Sequence, residues 1–284
     1  MNVLITGAAG TVGTAITDHL SEETYDLTLL DVKEAEGPGE AVVADVRDYE
    51  AIRPHFEGQD AVVHLALMRE GDDFTAWSRE IGWSTDLRDN LQGINNVYEA
   101  AIDAGVESIV FASSNHAVGM VEVRNEPEVY YDRGIVAGHD EPHRPDSLYG
   151  LSKSYGEDLG RFAAEAHGVR FYGLRIGAVR DPPYDHPYGD AERGVEDGRW
   201  ERGSEEYEEQ VARLKGLWQS RRDLAHLVEC CLQDDTVEWD HFYGVSANER
   251  RWFDDLDYAK ETIGYEPQDN GEEWDAPPEP SGEE

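Results

Sequence analysis

Short apolar runs separated by helix-length segments pattern the first two thirds of the chain. Val3-Leu4-Ile5, Leu27-Thr28-Leu29-Leu30, Ala61-Val62-Val63 and Ile109-Val110-Phe111 are apolar or neutral at consecutive positions. Runs of that kind mark strands covered on both faces, whereas strict alternation marks one wetted face. The pattern predicts strands at Asn2–Thr6, Leu27–Asp31, Glu40–Ala44, Asp60–Leu65, Glu107–Phe111 and Val169–Arg175. Helical spacing predicts helices at Thr11–Leu20, Asp48–Phe56, Thr85–Ala104 and Leu148–His167, with Gly105 and Gly168 as stop signals for the last two. Strands of about five residues alternating with helices give βαβ units and a parallel sheet.

Past Gly177 the pattern weakens. Asp181–Gln210 is rich in Asp, Glu, Gly, Pro and Tyr and reads as a long loop. A helix at Arg221–Leu232, a strand at His241–Val245 and a helix at Asp254–Ile263 follow. These elements are too few for a core of their own. The expected fold is therefore α/β, a doubly wound parallel sheet with a small C-terminal substrate-side lobe. Within one domain over 1–284, residues 1–177 mainly bind the cofactor and 178–265 form the lobe. The acidic, Pro-rich tail at 266–284 is expected to be poorly ordered. No internal repeats are present.

Charge then removes whole classes of function. Of 284 residues, 62 are Asp or Glu and 24 are Lys or Arg, a formal net charge of −38. Such a surface repels nucleic acid and anionic membranes. No apolar run approaches the ~20 residues of a membrane span, and no secretory signal precedes the first strand, so a cytoplasmic location is expected. Lysine occurs only at Lys33, Lys153, Lys215 and Lys260. Acid-rich, lysine-poor chains resemble those of salt-in halophiles, where salt screens self-repulsion. The adjacent Cys230 and Cys231 supply no disulfide framework and are expected to pack on their helix. His139, His143 and His186 lack ligand spacing and are expected in polar, solvated loops, with no metal site.

The chemistry-bearing stretches begin at Thr6-Gly7-Ala8-Ala9-Gly10-Thr11-Val12-Gly13, directly between the first strand and the first helix. Glycines there let the backbone approach a pyrophosphate, and the helix N-terminus offers free N–H groups. Gly7, Gly10, Thr11, Val12 and Gly13 are accordingly cofactor candidates. Asp31 closes the second strand about twenty residues on, where a carboxylate accepts hydrogen bonds from ribose hydroxyls and repels a 2′-phosphate. NAD is thus expected over NADP, with Lys33 the one nearby cation. Farther along, Tyr149-Gly150-Leu151-Ser152-Lys153 puts a phenol and an ammonium on one helix face. Bringing a phenol from pKa ~10 to ~7 requires roughly 4 kcal/mol in favour of phenolate, which a neighbouring ammonium can help supply.

Taken together, these motifs resemble an extended short-chain dehydrogenase/reductase of the NAD-dependent epimerase/dehydratase superfamily, a Rossmann-type fold, over nearly the whole chain. The resemblance includes Asp45-Val46, His64-Leu65-Ala66, Asn90 and Ser113-Ser114. It implies that Tyr149 is the general base, that Lys153 lowers its pKa and holds the nicotinamide ribose, and that Ser114 bonds the reacting oxygen. It further implies that Asn90 holds a proton-relay water, that Asp45 and Val46 border the adenine, and that Leu65, Ala66 and Ile176 line the cofactor site. Ser113 is expected to be structural.

Ser113-Ser114-Asn115-His116-Ala117-Val118-Gly119, the stretch from Arg144 to Lys153, Leu174-Arg175-Ile176-Gly177 and Ser246-Ala247-Asn248 are similar to segments of uronate dehydrogenases and haloarchaeal NAD-dependent glucose-6-phosphate and aldose dehydrogenases. That likeness implies oxidation of a sugar's anomeric C1 hydroxyl to a lactone, with Ser114, Asn115, His116 and Tyr149 on the substrate. It also implies that Arg213, five residues before Trp218, takes a carboxylate or phosphate; Lys215 and Arg69 are lesser candidates. The chain departs from the uronate enzymes at Ala178, where they carry Ser, and in two apparent insertions, Glu70–Trp83 and Asp181–Gln210. Trp77, Trp83, Tyr184 and Tyr188 there are candidates for stacking on sugar rings or anchoring the loops. An uronate, a sugar phosphate and a neutral aldose stay open as substrates, and self-association stays open as the protein partnership. The alternatives are a nucleotide-sugar epimerase or dehydratase with tightly held NAD and a non-enzymatic NAD sensor. A dehydratase would need an acidic pair where Asn115-His116 stands.

Overall fold

The computed structural model describes residues 1–68 and 84–278. Seven strands among them form one parallel sheet: β1 (Asn2–Thr6), β2 (Asp26–Asp31), β3 (Glu40–Val43), β4 (Ala61–His64), β5 (Ser108–Ser114), β6 (Arg170–Ile176) and β7 (Trp239–Gly244). Their order is β3-β2-β1-β4-β5-β6-β7. Chain direction across the sheet reverses between β1 and β4, and such a switch point opens a crevice at the carboxyl ends of the strands.

Both faces are covered. Val3 and Ile5 of β1 point to a cluster built on α1 (Thr11–Thr17), α8 (Arg221–Gln233) and α9 (Leu256–Ile263). Leu4 points to the opposite cluster, built on α3 (Thr85–Ala104) and α5 (Leu148–His167). Successive side chains on a strand alternate faces, so the unbroken apolar run follows directly from two buried faces. Ser84 and Ser147 cap α3 and α5, each accepting an amide bond three residues on, and the left-handed Gly105 and Gly168 end them. The strands and long helices thus match the sequence pattern to within a few residues. β5 runs three residues past Phe111, which brings Ser113 and Ser114 onto its end. α1 stops at Thr17, where His19 already bonds to Ile16 in a tighter turn. The helix expected over Asp48–Phe56 divides into α2 (Tyr49–Ile52) and a 3₁₀ turn at Arg53–Phe56, with Pro54 at the turn's start.

Two expectations are corrected. Asp181–Gln210 is not structureless: it carries α6 (Gly189–Glu196) and begins α7 (Glu205–Leu217). Tyr188, Ala191, Tyr207 and Val211 close into a small apolar cluster. Nor is the start of the tail loose. Trp274 stacks on His186 at 5.5 Å between centroids, and Lys215 donates to its carbonyl at 2.8 Å. A further short helix, α4 (Met120–Asn125), follows a 3₁₀ turn at Asn115–Val118.

Candidate active site

The glycine turn packs against the ends of two neighbouring strands. Gly7 has φ +74°, and a Cβ there would sit 2.6 Å from the Ala66 nitrogen. At Gly13 a Cβ would meet the Ala8 carbonyl at 2.4 Å. Only glycine fits either place without backbone movement. Gly10 precedes helix α1 and gives it no side-chain cap, and no acidic residue stands in its first turn, so its opening N–H groups stay available to an anion. Asp31 accepts from the Ala9 amide at 3.1 Å and from the Lys33 amide at 3.3 Å. A backbone that close to a strand end, beside a carboxylate at the next strand, fits a dinucleotide. Asp45 is engaged by Arg47 at 2.6 Å, and Arg47 also reaches Asp89 at 2.7 Å. Val46 is buried under Gly93.

A cleft of about 380 Å³ runs from Thr11 and Val12 past Leu65 and Ile176 to Ser114, Tyr149 and Lys153. Tyr149 shares a hydrogen bond with Ser114 and stands edge-on to His116 at 5.6 Å. The Lys153 ammonium lies 5.5 Å from the Tyr149 ring centre and donates to the Ala112 carbonyl at 2.7 Å. Burial pushes Lys153 down to about 7. Burial also raises the Tyr149 phenol above its usual 10; the Ser114 bond works against this, and the Asp146 charge adds to it. In the chain alone burial dominates at this phenol, and the Lys153 ammonium is held by the Ala112 carbonyl.

Asn115 is buried, with its amide nitrogen unpartnered among the described residues. His116 Nδ1 lies 2.7 Å from Asp146. Burial works to raise the Asp146 carboxyl, but the His116 contact outweighs it and holds the group below its ordinary range. The Asn90 amide is taken up by backbone: its oxygen accepts from Met68 at 2.8 Å, and its nitrogen donates to Asp86 at 2.8 Å and Met68 at 3.2 Å. It thereby fixes the chain leaving β4. Ser113 donates to Glu157.

Several other candidates stand elsewhere. Arg213 donates to Glu122 at 2.6 Å and is not among the described residues lining the cleft. Lys215 faces the tail. Tyr184 bonds Glu196, and Tyr188 bonds the Trp274 carbonyl at 3.2 Å, so both anchor their segment. Ala178 is buried beside Trp218. Arg69 and the Glu70–Trp83 stretch, with Trp77 and Trp83, lie outside the described residues. His139 and His143 are half-buried against carboxylates rather than free in solvent, and His186 is enclosed. His139 sits 3.1 Å from Asp240; burial pulls its pKa down, but Asp240 and Asp255 overcome this and raise it to about 9. His143 reaches Glu157 at 2.7 Å, and His186 is buried. Cys231 is buried in the α8 core.

Sequence reasoning missed the cleft's outer wall. Arg180, Asp181, Asp190 and Arg193 line it. Arg180 holds both oxygens of Asp190 at 2.6 Å. Asp181 accepts from Thr11 at 2.5 Å, tying this wall to the glycine turn. The available signal was the i, i+4, i+7 spacing of Tyr207, Val211 and Leu214 in α7, masked by surrounding glutamates.

Residues 3–193 match the model of the NAD dependent epimerase/dehydratase family. The NAD-dependent glucose-6-phosphate dehydrogenase of Haloferax volcanii is 36% identical over 99% of this chain and 98% of its own. The uronate dehydrogenase of Pseudomonas syringae pv. tomato is 32% identical over 98% of this chain and 87% of its own. Among solved structures, uronate dehydrogenase from Agrobacterium tumefaciens superposes with a TM-score of 0.70 at 29% identity, covering 99% of this chain and 91% of that one. With its glycine turn, switch-point cleft and parallel sheet, the chain belongs to the NAD dependent epimerase/dehydratase family.

Proposed function

We propose that the chain is an NAD-dependent sugar 1-dehydrogenase that oxidises the anomeric C1 hydroxyl of a sugar phosphate, hexuronate or aldose to the lactone. The observation that carries this reading is the convergence of Ser114, Tyr149 and Lys153 on one cleft that starts at the glycine turn. The sugar-dehydrogenase names of relatives that span the chain end to end support it. Gly7, Gly10, Thr11, Val12 and Gly13 would hold the pyrophosphate, Asp31 the adenosine ribose, and Leu65, Ala66 and Ile176 the nicotinamide side. Asp45 and Val46 would edge the adenine.

Bound NAD supplies the acceptor for the C1 hydride. Ser114 orients the C1 oxygen and stabilises charge on it through a hydrogen bond. Tyr149 takes the hydroxyl proton as general base. Its phenol starts above 10 through burial, so this role needs added positive charge from Lys153 and from the loaded site. Lys153 would bond the nicotinamide ribose, and Asn90 fixes the chain at Met68, next to the cleft-lining Leu67. The unpartnered Asn115 amide and the Asp146-held His116 offer bonds to sugar hydroxyls.

The test is a panel of aldoses, uronates and sugar phosphates with NAD or NADP at molar salt. Steady NADH formation is expected, and Tyr149→Phe should abolish it. Protein that retains NAD through purification and forms no NADH with any sugar would instead indicate an epimerase.

A further inference from the structure

One arginine in the cleft has no part in the chemistry above. Arg193, on α6, lines the same cleft as Ser114 and Tyr149. Its guanidinium rests on the Tyr184 ring, 4.5 Å from the centroid, and no carboxylate pairs with it among the described residues. Its basic neighbours are matched. Arg180 holds Asp190 through two 2.6 Å bonds, and Arg213 holds Glu122 at 2.6 Å. Burial tends to raise the Asp190 carboxyl, yet Arg180, Arg213 and Arg193 together hold it below its ordinary range, so all three guanidiniums lie within its field. Asp181, the other carboxylate of this wall, is taken by Thr11 and by Arg221 at 3.3 Å, so each acid here already has a partner other than Arg193. In a chain with 62 acidic and 24 basic residues, an arginine left without an acid at a cleft is conspicuous.

Resting on the 1-dehydrogenase reading, we propose that Arg193 is the specificity-determining residue that receives a phosphate ester at the end of the sugar remote from C1. Arg180, oriented by Asp190, stands beside it. Arg213 does not serve, because Glu122 already neutralises it. A guanidinium fork matches phosphate oxygens in two parallel bonds, and a dianion gains a charge-assisted pair from an arginine without an acid partner that a neutral sugar cannot make. Arg193 leaves the Tyr184 face to make that contact. The cofactor also carries phosphates, and Thr11 and Val12 share the cleft, so the test must separate the two sources.

The experiment compares the wild type with Arg193→Gln and Arg193→Lys at molar KCl. Substrates are glucose 6-phosphate, glucuronate and glucose, and KM for NAD is measured alongside. In Arg193→Gln the ratio of kcat/KM for glucose 6-phosphate to that for glucose should fall about tenfold to a hundredfold, the range expected for loss of a charge-assisted pair. Arg193→Lys should recover part of it. Calorimetric titration of glucose 6-phosphate into NADH-loaded protein, which cannot accept a hydride, should show the same loss of affinity without turnover. An unchanged ratio overturns the proposal, as does a rise confined to the KM for NAD, which would assign Arg193 to the cofactor. A loss confined to glucuronate overturns it in favour of a carboxylate. Wild-type protein that oxidises no sugar would refute the dehydrogenase reading instead, and the calorimetric arm would still decide whether Arg193 binds the phosphate.

Discussion

Removing the Arg175 guanidinium is expected to destabilise the chain sharply. Its side chain and that of Glu157 are 2% and 6% exposed, with Nη2 2.8 Å and Nε 3.1 Å from the carboxylate. Glu157 also accepts from Ser113 and from His143. In Arg175→Met a buried carboxylate loses its permanently charged partner and keeps only His143 and Ser113, which costs about 3–5 kcal/mol. An unfolding entropy of about 2.1 cal/mol/K per residue gives roughly 0.6 kcal/mol/K for a chain of this length, so Tm should drop by about 5–8 °C. The assay is thermal unfolding followed by circular dichroism at constant molar KCl. Pairing the change with Glu157→Gln should return at least half of the loss, because the stranded charge is then gone. The sign with pH follows from the Glu157 carboxyl. Burial raises it, but His143 and Arg175 outweigh burial and hold it well below its ordinary 4.5. Its stabilisation is thus complete above about 4.5 and lost as pH falls below that, so the gap between wild type and Arg175→Met should narrow in acid. A Tm shift under about 2 °C, or a double variant as unstable as the single one, would refute the argument from charge burial.

Further outcomes are expected. If Tyr149 must lose its proton, kcat/KM for sugar oxidation should rise with pH through the neutral range; a flat profile would remove the phenol as base. Asp31→Ser should lower the preference for NAD over NADP by about tenfold, read from the two kcat/KM values, because a carboxylate repels the 2′-phosphate. Transfer from molar to about 0.1 M salt lengthens the screening distance from roughly 3 to 10 Å. Tm should then fall by at least about 10 °C, and an unchanged Tm would dismiss the halophilic reading of the surface.

The parallel sheet was legible because its strands are buried on both faces: Val3, Leu4 and Ile5 are all fully enclosed, so no polar position interrupts the run. Tyr149 and Lys153 could be placed together because helical spacing alone puts them on one face. What the spacing could not convey is the Ala112 carbonyl, 41 positions upstream, that takes the ammonium. Burial of both groups, and so the direction of each pKa shift, depends on packing between α5 and β5. Arg213 was legible as a cation at a meaningful spacing, but its partner Glu122 lies 91 positions away. The wall of α6 and α7 escaped notice for a compositional reason. In Glu-Glu-Tyr-Glu-Glu-Gln-Val-Ala-Arg-Leu the apolar stripe is three residues, Tyr207, Val211 and Leu214, and the residues around its first half are mostly acidic. On an ordinary surface some of those glutamates would be lysines, and the same stripe would have stood out.

That acidity bears directly on how an anionic sugar reaches the cleft. A net charge of −38 repels a phosphate at long range, whereas Arg193 attracts it at contact. Salt acts differently on the two. At molar ionic strength the Debye length is about 3 Å, so repulsion from acids farther than that is largely removed. A contact pair on a partly enclosed wall is screened far less. Raising KCl within the range where the fold is intact should therefore lower or hold the KM for glucose 6-phosphate, while the KM for glucose stays level. An ordinary surface cation site would behave in the opposite way, losing affinity as salt rises. A KM for the phosphorylated sugar that climbs with KCl, in parallel with that of a small free anion used as inhibitor, would mean that Arg193 is not enclosed enough to act as a specific contact.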